Sequence, residues 1–292
     1  MQAELRTLAL FGALIGIFMV IGTVVGDYFF GAPIMGLIVF LGFAGIINIF
    51  SYFFSSKIVL WSYKARIVSK EEQPRLYSIV NKICLKADLP MPRIAIVPTQ
   101  TPNAFATGRN KNNAVVAATQ GILNLLSDDE LEGVLAHEMA HVKDRDILVM
   151  SIAATIAGAI SFAARMFLWN SMFGGRGRGN GNQILLIVGA ITAPLAAMLL
   201  QLAVSRNREY RADHEGALMI QKPLALARAL GKLEEGNKRK PMTSGSPASA
   251  SLFIVNPIRG GGSFMTMFMT HPPIEKRIQR LQKLADETGF IG

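Results

Sequence analysis

The chain contains one cysteine, Cys84, so it can form no internal disulfide and no cysteine-based metal site. Cys84 reads as a small buried apolar residue. Charge is also scarce, at 17% of 292 residues against 51% hydrophobic. A soluble domain of this length fills its core with fewer apolar and more charged residues than that. The balance of charge is basic, +10, but no basic–aromatic stripe or finger pattern accompanies it, which excludes nucleic acid as a partner. In a hydrophobic chain such a balance marks Lys and Arg flanking membrane spans. There is no internal repeat.

The apolar residues that are present form long blocks. Four runs reach the length of about 20 residues needed to cross a bilayer: 7–25, 33–54, 147–169 and 184–204. The first exceeds a usual signal-peptide core, has no small-residue cleavage site, and is followed closely by the second, so the two form an anchoring hairpin. Arg6 precedes the first run, the turn around Asp27 has no Lys or Arg, and Lys57, Lys64, Arg66 and Lys70 follow the second. This bias puts the termini and the polar regions on the cytoplasmic side of a cell membrane, with Arg176 and Arg178 a mild exception. The expected division is a transmembrane hairpin over 1–54, a cytoplasmic polar region over 55–146, a second hairpin over 147–204 and a second cytoplasmic polar stretch over 205–292.

Between the second and third runs, 72–85 predicts an amphipathic helix. RIAIVP (93–98) and NAVVAA (113–118) predict short strands around a turn-rich stretch, 101–111. Ser127 with Glu130 makes a capping-box pattern that starts a further helix. After the fourth run a helix is expected over 206–233, a loop over 236–251, and a Pro-started helix over 271–285.

The capped helix carries His137-Glu138-Met139-Ala140-His141, half of the chain's four histidines in one pentapeptide. The i, i+4 spacing puts both imidazoles on one helix face, within reach of one tetrahedral cation. Glu138 lies between them, where a carboxylate serves as general base for an attacking water. A catalytic zinc needs a third protein ligand. Glu209 and Asp213, again i, i+4, offer a ligand and a carboxylate to hold the outward nitrogen of a ligating histidine. Alone, that run also reads as solvated charge. The third run begins just after His141 and the fourth ends just before Glu209. Both motifs therefore sit near one membrane face, on the two arms of a hairpin. An ionisable cluster outside the spans argues against a transporter, whose site lies at the bilayer midplane.

HEMAH, a two-span interval, and REYRAD followed by HEGA together resemble the HtpX-type membrane metalloproteases of prokaryotes, relatives of the CAAX prenyl endoproteases. Asn103–Gly108, the run Ser205–Glu209, and His271-Pro272-Pro273 with Arg277 extend the resemblance across the chain. It implies a mainly α fold: four transmembrane helices and a cytoplasmic gluzincin-type α+β domain with a small sheet. One zinc per subunit would bind His137, His141 and Glu209, with Glu138 as base. It also implies that Asn103, Ala104 and Phe105 lie on a sheet edge that takes substrate as an added strand, a role for which the residues alone offer equally a turn before a core Phe. His271, which alone reads as a helix start, would donate to the oxyanion, and Arg277 would brace the site. The implied substrates are misfolded or damaged proteins of the bilayer, cut in cytoplasmic segments. Four spans are too few for the chamber of the CAAX processors, and an inactive scaffold has no use for Glu138. His214 reads as a surface residue, and Arg165, within the third run, as snorkelling or facing the bundle. The alternating Met265, Met267 and Met269 suggest packing. No oligomeric state follows.

Overall fold

The computed structural model describes residues 2–157, 206–242, 252–255 and 271–290. The run 184–204, most of 147–169, Arg165 and the three alternating methionines lie outside the described residues. Helix α1 (Gln2–Phe30) and helix α2 (Pro33–Ser62) form an antiparallel hairpin that turns at Gly31 and Ala32. Small residues let the two backbones touch: a Cβ built at Gly36 would lie 2.1 Å from Gly22 O. Ile34, Met35, Ile38, Ile46 and Ile49 of α2 face outward, the reverse of a soluble helix. Among the described residues α2 is the helix long and apolar enough to cross a membrane. It runs eight residues past the expected end of the second span, through the expected boundary at 54, because no Pro or Gly interrupts it before Tyr63.

The remaining described strands and α-helices are β1 (Arg66–Ile67), α3 (Pro74–Ala87), β2 (Arg93–Val97), β3 (Ala104–Gly108), β4 (Ala114–Thr119), α4 (Gln120–Leu125), α5 (Asp128–Lys143), α6 (Asp146–Ala157), α7 (Arg206–Ile220), α8 (Pro223–Arg239) and α9 (Ile274–Thr288). The strands form one mixed sheet ordered β1-β2-β4-β3, with β2 and β4 parallel and the other pairs antiparallel. Both faces are covered, which is why β2 and β4 read as continuous apolar runs. Ile94, Ile96, Val116 and Ala118 face the core under α3, α5 and α8. Their alternates Ala95, Val97, Val115 and Ala117 meet Val59 and Tyr63 at the end of α2 and Met150 and Ala154 of α6. The sheet thus joins α3, α5 and α8 on one face to α2 and α6 on the other.

Four expectations shift. Strand β3 occupies the stretch read as turns, because pairing with β4 overrides its turn-rich composition. Helix α3 starts at Pro74 rather than residue 72, and Glu72 instead accepts from the Ser69 amide and pairs with Arg66. The helix expected over 206–233 is two: Gln221 adopts φ 60°, and Pro223 restarts the chain as α8. Helix α8 then continues to Arg239, into the expected loop, where buried Asn237 donates to Pro102 O at 3.0 Å.

Candidate active site

Helix α5 begins with the capping box seen in the sequence. Glu130 N–H donates to Ser127 Oγ at 3.4 Å, and Ser127 N–H to Glu130 Oε2 at 3.0 Å. The helix is buried from Glu130 to Val142. On one side it meets α7 backbone to backbone: a Cβ at Gly216 would lie 2.8 Å from His137 N. This approach carries Glu209 and Asp213 to the two histidines. His137 Nε2 is 3.7 Å from Glu209 Oε2, and His141 Nε2 is 3.5 Å from Glu209 Oε1. The ligand atoms of the three residues lie within 4.8 Å of one another.

These residues fit a small tetrahedral cation. Bonds of about 2.0–2.1 Å at tetrahedral angles separate ligand atoms by about 3.3 Å, close to the observed spacings. Orientation agrees. His137 Nδ1 is 2.9 Å from Asp213 Oδ1, so Nδ1 carries the proton and Nε2 offers its lone pair toward Glu209. Arg277 Nη2 also comes within 3.4 Å of His137 Nδ1. Both groups are donors in that tautomer, so this is an approach between two donors that share Asp213.

Arg277 is fully buried and holds Asp213 with both arms of its guanidinium, Nε to Oδ2 at 2.8 Å and Nη2 to Oδ1 at 2.6 Å. Its Nη1 donates to Ile254 O at 2.8 Å. His271 reaches the site from the start of α9, its Nδ1 3.0 Å from Glu209 Oε2. Arg277 and His271, far along the chain from HEMAH, are thus both gathered around the Glu209–Asp213 helix.

Glu138 points the other way, toward the sheet edge. Its Oε2 accepts from the Ala106 N–H of β3 at 2.8 Å. The edge is occupied at its other end. Ile254 N–H donates to Ala104 O at 3.3 Å, and the Asn103 side chain donates to Val255 O at 2.6 Å. Phe105 faces the core between Tyr63 and Phe253, with ring centroids 5.8 and 5.0 Å away.

Protonation follows from burial and these partners. Burial pushes Glu138 up to about 8, with Glu209 adding to it and the Ala106 N–H opposing. Burial pulls His137 down to about 4 despite Asp213, so it is neutral and able to ligate. Glu209, although burial opposes it, is held well below the usual carboxylate range by His271 and the ligand histidines. Asp213, against the same cost of burial, is held at about 2 by Arg277. For His141 burial is outweighed by the Asp146, Glu209 and Glu138 carboxylates, which raise it; a bound cation takes the place of that proton.

Sequence reasoning missed two buried residues at the site, Asp146 and Arg208. Asp146 Oδ2 is 3.9 Å from His141 Nδ1, and Arg208 Nη1 is 3.3 Å from Asp146 Oδ1. Each reads locally as a helix-end charge. His214 is exposed, as a surface reading requires.

Residues 70–285 match the model of peptidase family M48. The chain is 51% identical to a protease HtpX homolog of Thermococcus sibiricus over 98% of this chain and 97% of that one. It is 50% identical to the homolog of Pyrococcus furiosus, over the same shares, and 48% to that of Syntrophobacter fumaroxidans, over 97% of this chain and 100% of the other. The crystal structure of S. mikatae Ste24p superposes with a TM-score of 0.49 at 18% identity, over 95% of this chain and 65% of that one. With its buried His-His-Glu cluster, its apolar hairpin and near full-length likeness to the HtpX homologs, the chain belongs to peptidase family M48 and is a membrane-associated metalloprotease.

Proposed function

We propose that the protein is a multi-pass zinc endopeptidase of the gluzincin type that cuts cytoplasmic segments of misfolded or damaged membrane proteins. The observation that carries this reading is the convergence of His137, His141 and Glu209, with their ligand atoms within 4.8 Å, beside a buried carboxylate that is not one of them. One zinc per subunit would bind these three residues. When bound, the metal supplies a Lewis acid that polarises the scissile carbonyl and acidifies the attacking water. Glu138 takes the proton from that water and delivers it to the leaving amine. Its buried place beside the ligand cluster, on the Ala106 N–H, keeps this carboxyl next to where the water would sit.

His271 is the donor for the developing oxyanion, a contact worth roughly 3 kcal/mol. Arg277 fixes Asp213, and through it His137. Substrate adds as an extended strand along the outer edge of β3, beside Glu138, where main-chain pairing accepts varied sequences. Asn103 and Ala104 bound one end of that edge through residues 254 and 255, and Phe105 supports it from the core. The positive residues after α2 favour a cytoplasmic site. That location and an edge indifferent to sequence suit the clearance of unfolded segments.

The test uses full-length protein in detergent, unfolded casein as substrate, and measured metal content. Glu138→Gln should keep about one zinc per chain while turnover drops at least ~10²-fold. Glu209→Ala should lose both metal and turnover. Full cleavage by Glu138→Gln, or stoichiometric zinc in dialysed Glu209→Ala, would overturn the reading.

A further inference from the structure

His137 and His141 each present a second ring nitrogen away from Glu209. For His137 that nitrogen meets Asp213, which Arg277 holds. The surroundings of His141 repeat this plan with different residues. Its Nδ1 faces Asp146 Oδ2 at 3.9 Å, and the other Asp146 oxygen takes Arg208 Nη1 at 3.3 Å. His141, Asp146 and Arg208 are 3%, 3% and 6% exposed, so water screens their charges little. A buried histidine followed by a carboxylate and then an arginine thus occurs twice, once on each ligand histidine.

The geometry assigns Asp146, held by Arg208, as the positioning residue for His141. This rests on the reading of His141 as a metal ligand. The 3.9 Å separation is beyond hydrogen-bond reach, so Asp146 acts through its charge. A negative charge beside Nδ1 favours the proton there and leaves the Nε2 lone pair aimed toward Glu209. The placement has a second consequence. Asp146 is the first residue of α6, where the third apolar run begins, and Arg208 is in the first turn of α7, just past the fourth. Their ion pair therefore ties the aim of one metal ligand to the spacing between two helices at the membrane boundary. No sequence of five residues around HEMAH contains that link.

The test measures the dissociation constant of Zn2+ by competition with a chromogenic chelator, on full-length protein in detergent, with melting followed separately in excess chelator. Asp146→Asn removes the charge and little volume, and should weaken Zn2+ binding about 10-fold or more. Asp146→Glu should recover part of the loss. The double variant Asp146→Asn/Arg208→Gln should bind no more weakly than Asp146→Asn alone, because Arg208 acts through Asp146. A merely structural ion pair would lower the melting temperature in chelator and leave the Zn2+ constant where it was. Wild-type affinity in Asp146→Asn, alongside lost binding in Glu209→Ala, sinks this inference and leaves the metal site standing. Retained binding in Glu209→Ala would instead remove the site itself. Should Asp146→Asn not fold, Arg208→Lys is measured in the same way; an unchanged Zn2+ constant there overturns the assignment, and a several-fold loss supports it.

Discussion

Arg277 should be the residue outside the metal ligands whose loss the protein tolerates least. Its guanidinium is wholly buried and makes three hydrogen bonds, two to Asp213 and one to Ile254 O. Arg277→Met keeps most of the volume but strands the Asp213 carboxylate in the interior. Two routes give the magnitude. Asp213 sits at about 2 against an ordinary 3.8, a difference worth about 2 kcal/mol at roughly 1.4 kcal/mol per unit. That figure is net of the burial cost, which Arg277 offsets and its removal exposes. Breaking a buried pair by removing one partner costs about 3–5 kcal/mol. The larger value is expected, a substantial part of the roughly 5–15 kcal/mol that stabilises a typical domain.

Melting of the detergent-solubilised protein should therefore fall by about 5–8 °C. Arg277→Lys should sit between, since one ammonium cannot bridge both Asp213 oxygens and the Ile254 carbonyl. Acid provides an internal check. In the wild type the Asp213 contribution is present above pH 3.8 and is lost as pH falls toward 2. In Arg277→Met burial acts on Asp213 without its main opponent and raises the carboxyl. A raised carboxyl contributes stability in acid and loses it as pH rises, so the gap to wild type should narrow between pH 8 and pH 5. A melting change under about 3 °C, or a gap that widens in acid, would refute the reasoning.

Three further outcomes are expected. Gly216→Ala puts a methyl 2.8 Å from His137 N; it should separate α5 from α7, cost about 1–3 kcal/mol and weaken Zn2+ binding measurably, whereas Gly12→Ala, with nothing within 4 Å, should do neither. Glu138, raised from 4.5 to about 8, contributes stability to the chelated protein at acid pH that is lost as pH rises from 4.5 to 8, at most about 5 kcal/mol. Melting in chelator should fall across that window in the wild type, and Glu138→Gln should flatten this component; an unchanged slope would place the titration elsewhere. His271→Ala should lower kcat about 10²-fold at saturating zinc and, because its Nδ1 lies 3.0 Å from Glu209 Oε2, also weaken zinc binding; normal turnover per bound zinc would remove it from the chemistry.

The parts of this site that a reader of the sequence can find are those whose geometry is local. An i, i+4 pair of histidines has the same spacing on any helix, and the Ser127–Glu130 cap closes within one turn, so neither needs the rest of the fold. The strands β2 and β4 are legible for a related reason: burial on both faces forces an unbroken apolar run, and Ile94–Val97 and Val115–Ala118 have it. Strand β3 has the composition of a turn, so the residues themselves did not show it and only the resemblance put Asn103–Phe105 at a sheet edge; its register against β4, from Ala104↔Ala118 to Gly108↔Ala114, is what makes it extended. The break between α7 and α8 was written in Lys222-Pro223, a pair that disfavours continued helix, but the amphipathic run across it masked the signal.

Charged residues were the hard case, and the difficulty is physical. In a segment viewed alone, Asp146, Arg208 and Asp213 look like solvated charges, the usual fate of such residues. Burial of a charge depends on a partner, and here the partners lie 62 residues apart for Arg208 and Asp146 and 64 for Arg277 and Asp213. The fold brings them together through an α5–α7 contact that a single glycine permits. Once α7 lies against α5, Glu209 and Asp213 are buried beside His137, and each must find a counter-charge or be neutralised. Arg277 answers Asp213, and His271 with the ligand histidines answers Glu209. The requirement to compensate buried carboxylates, rather than any local motif, is what draws the start of α9 into the site.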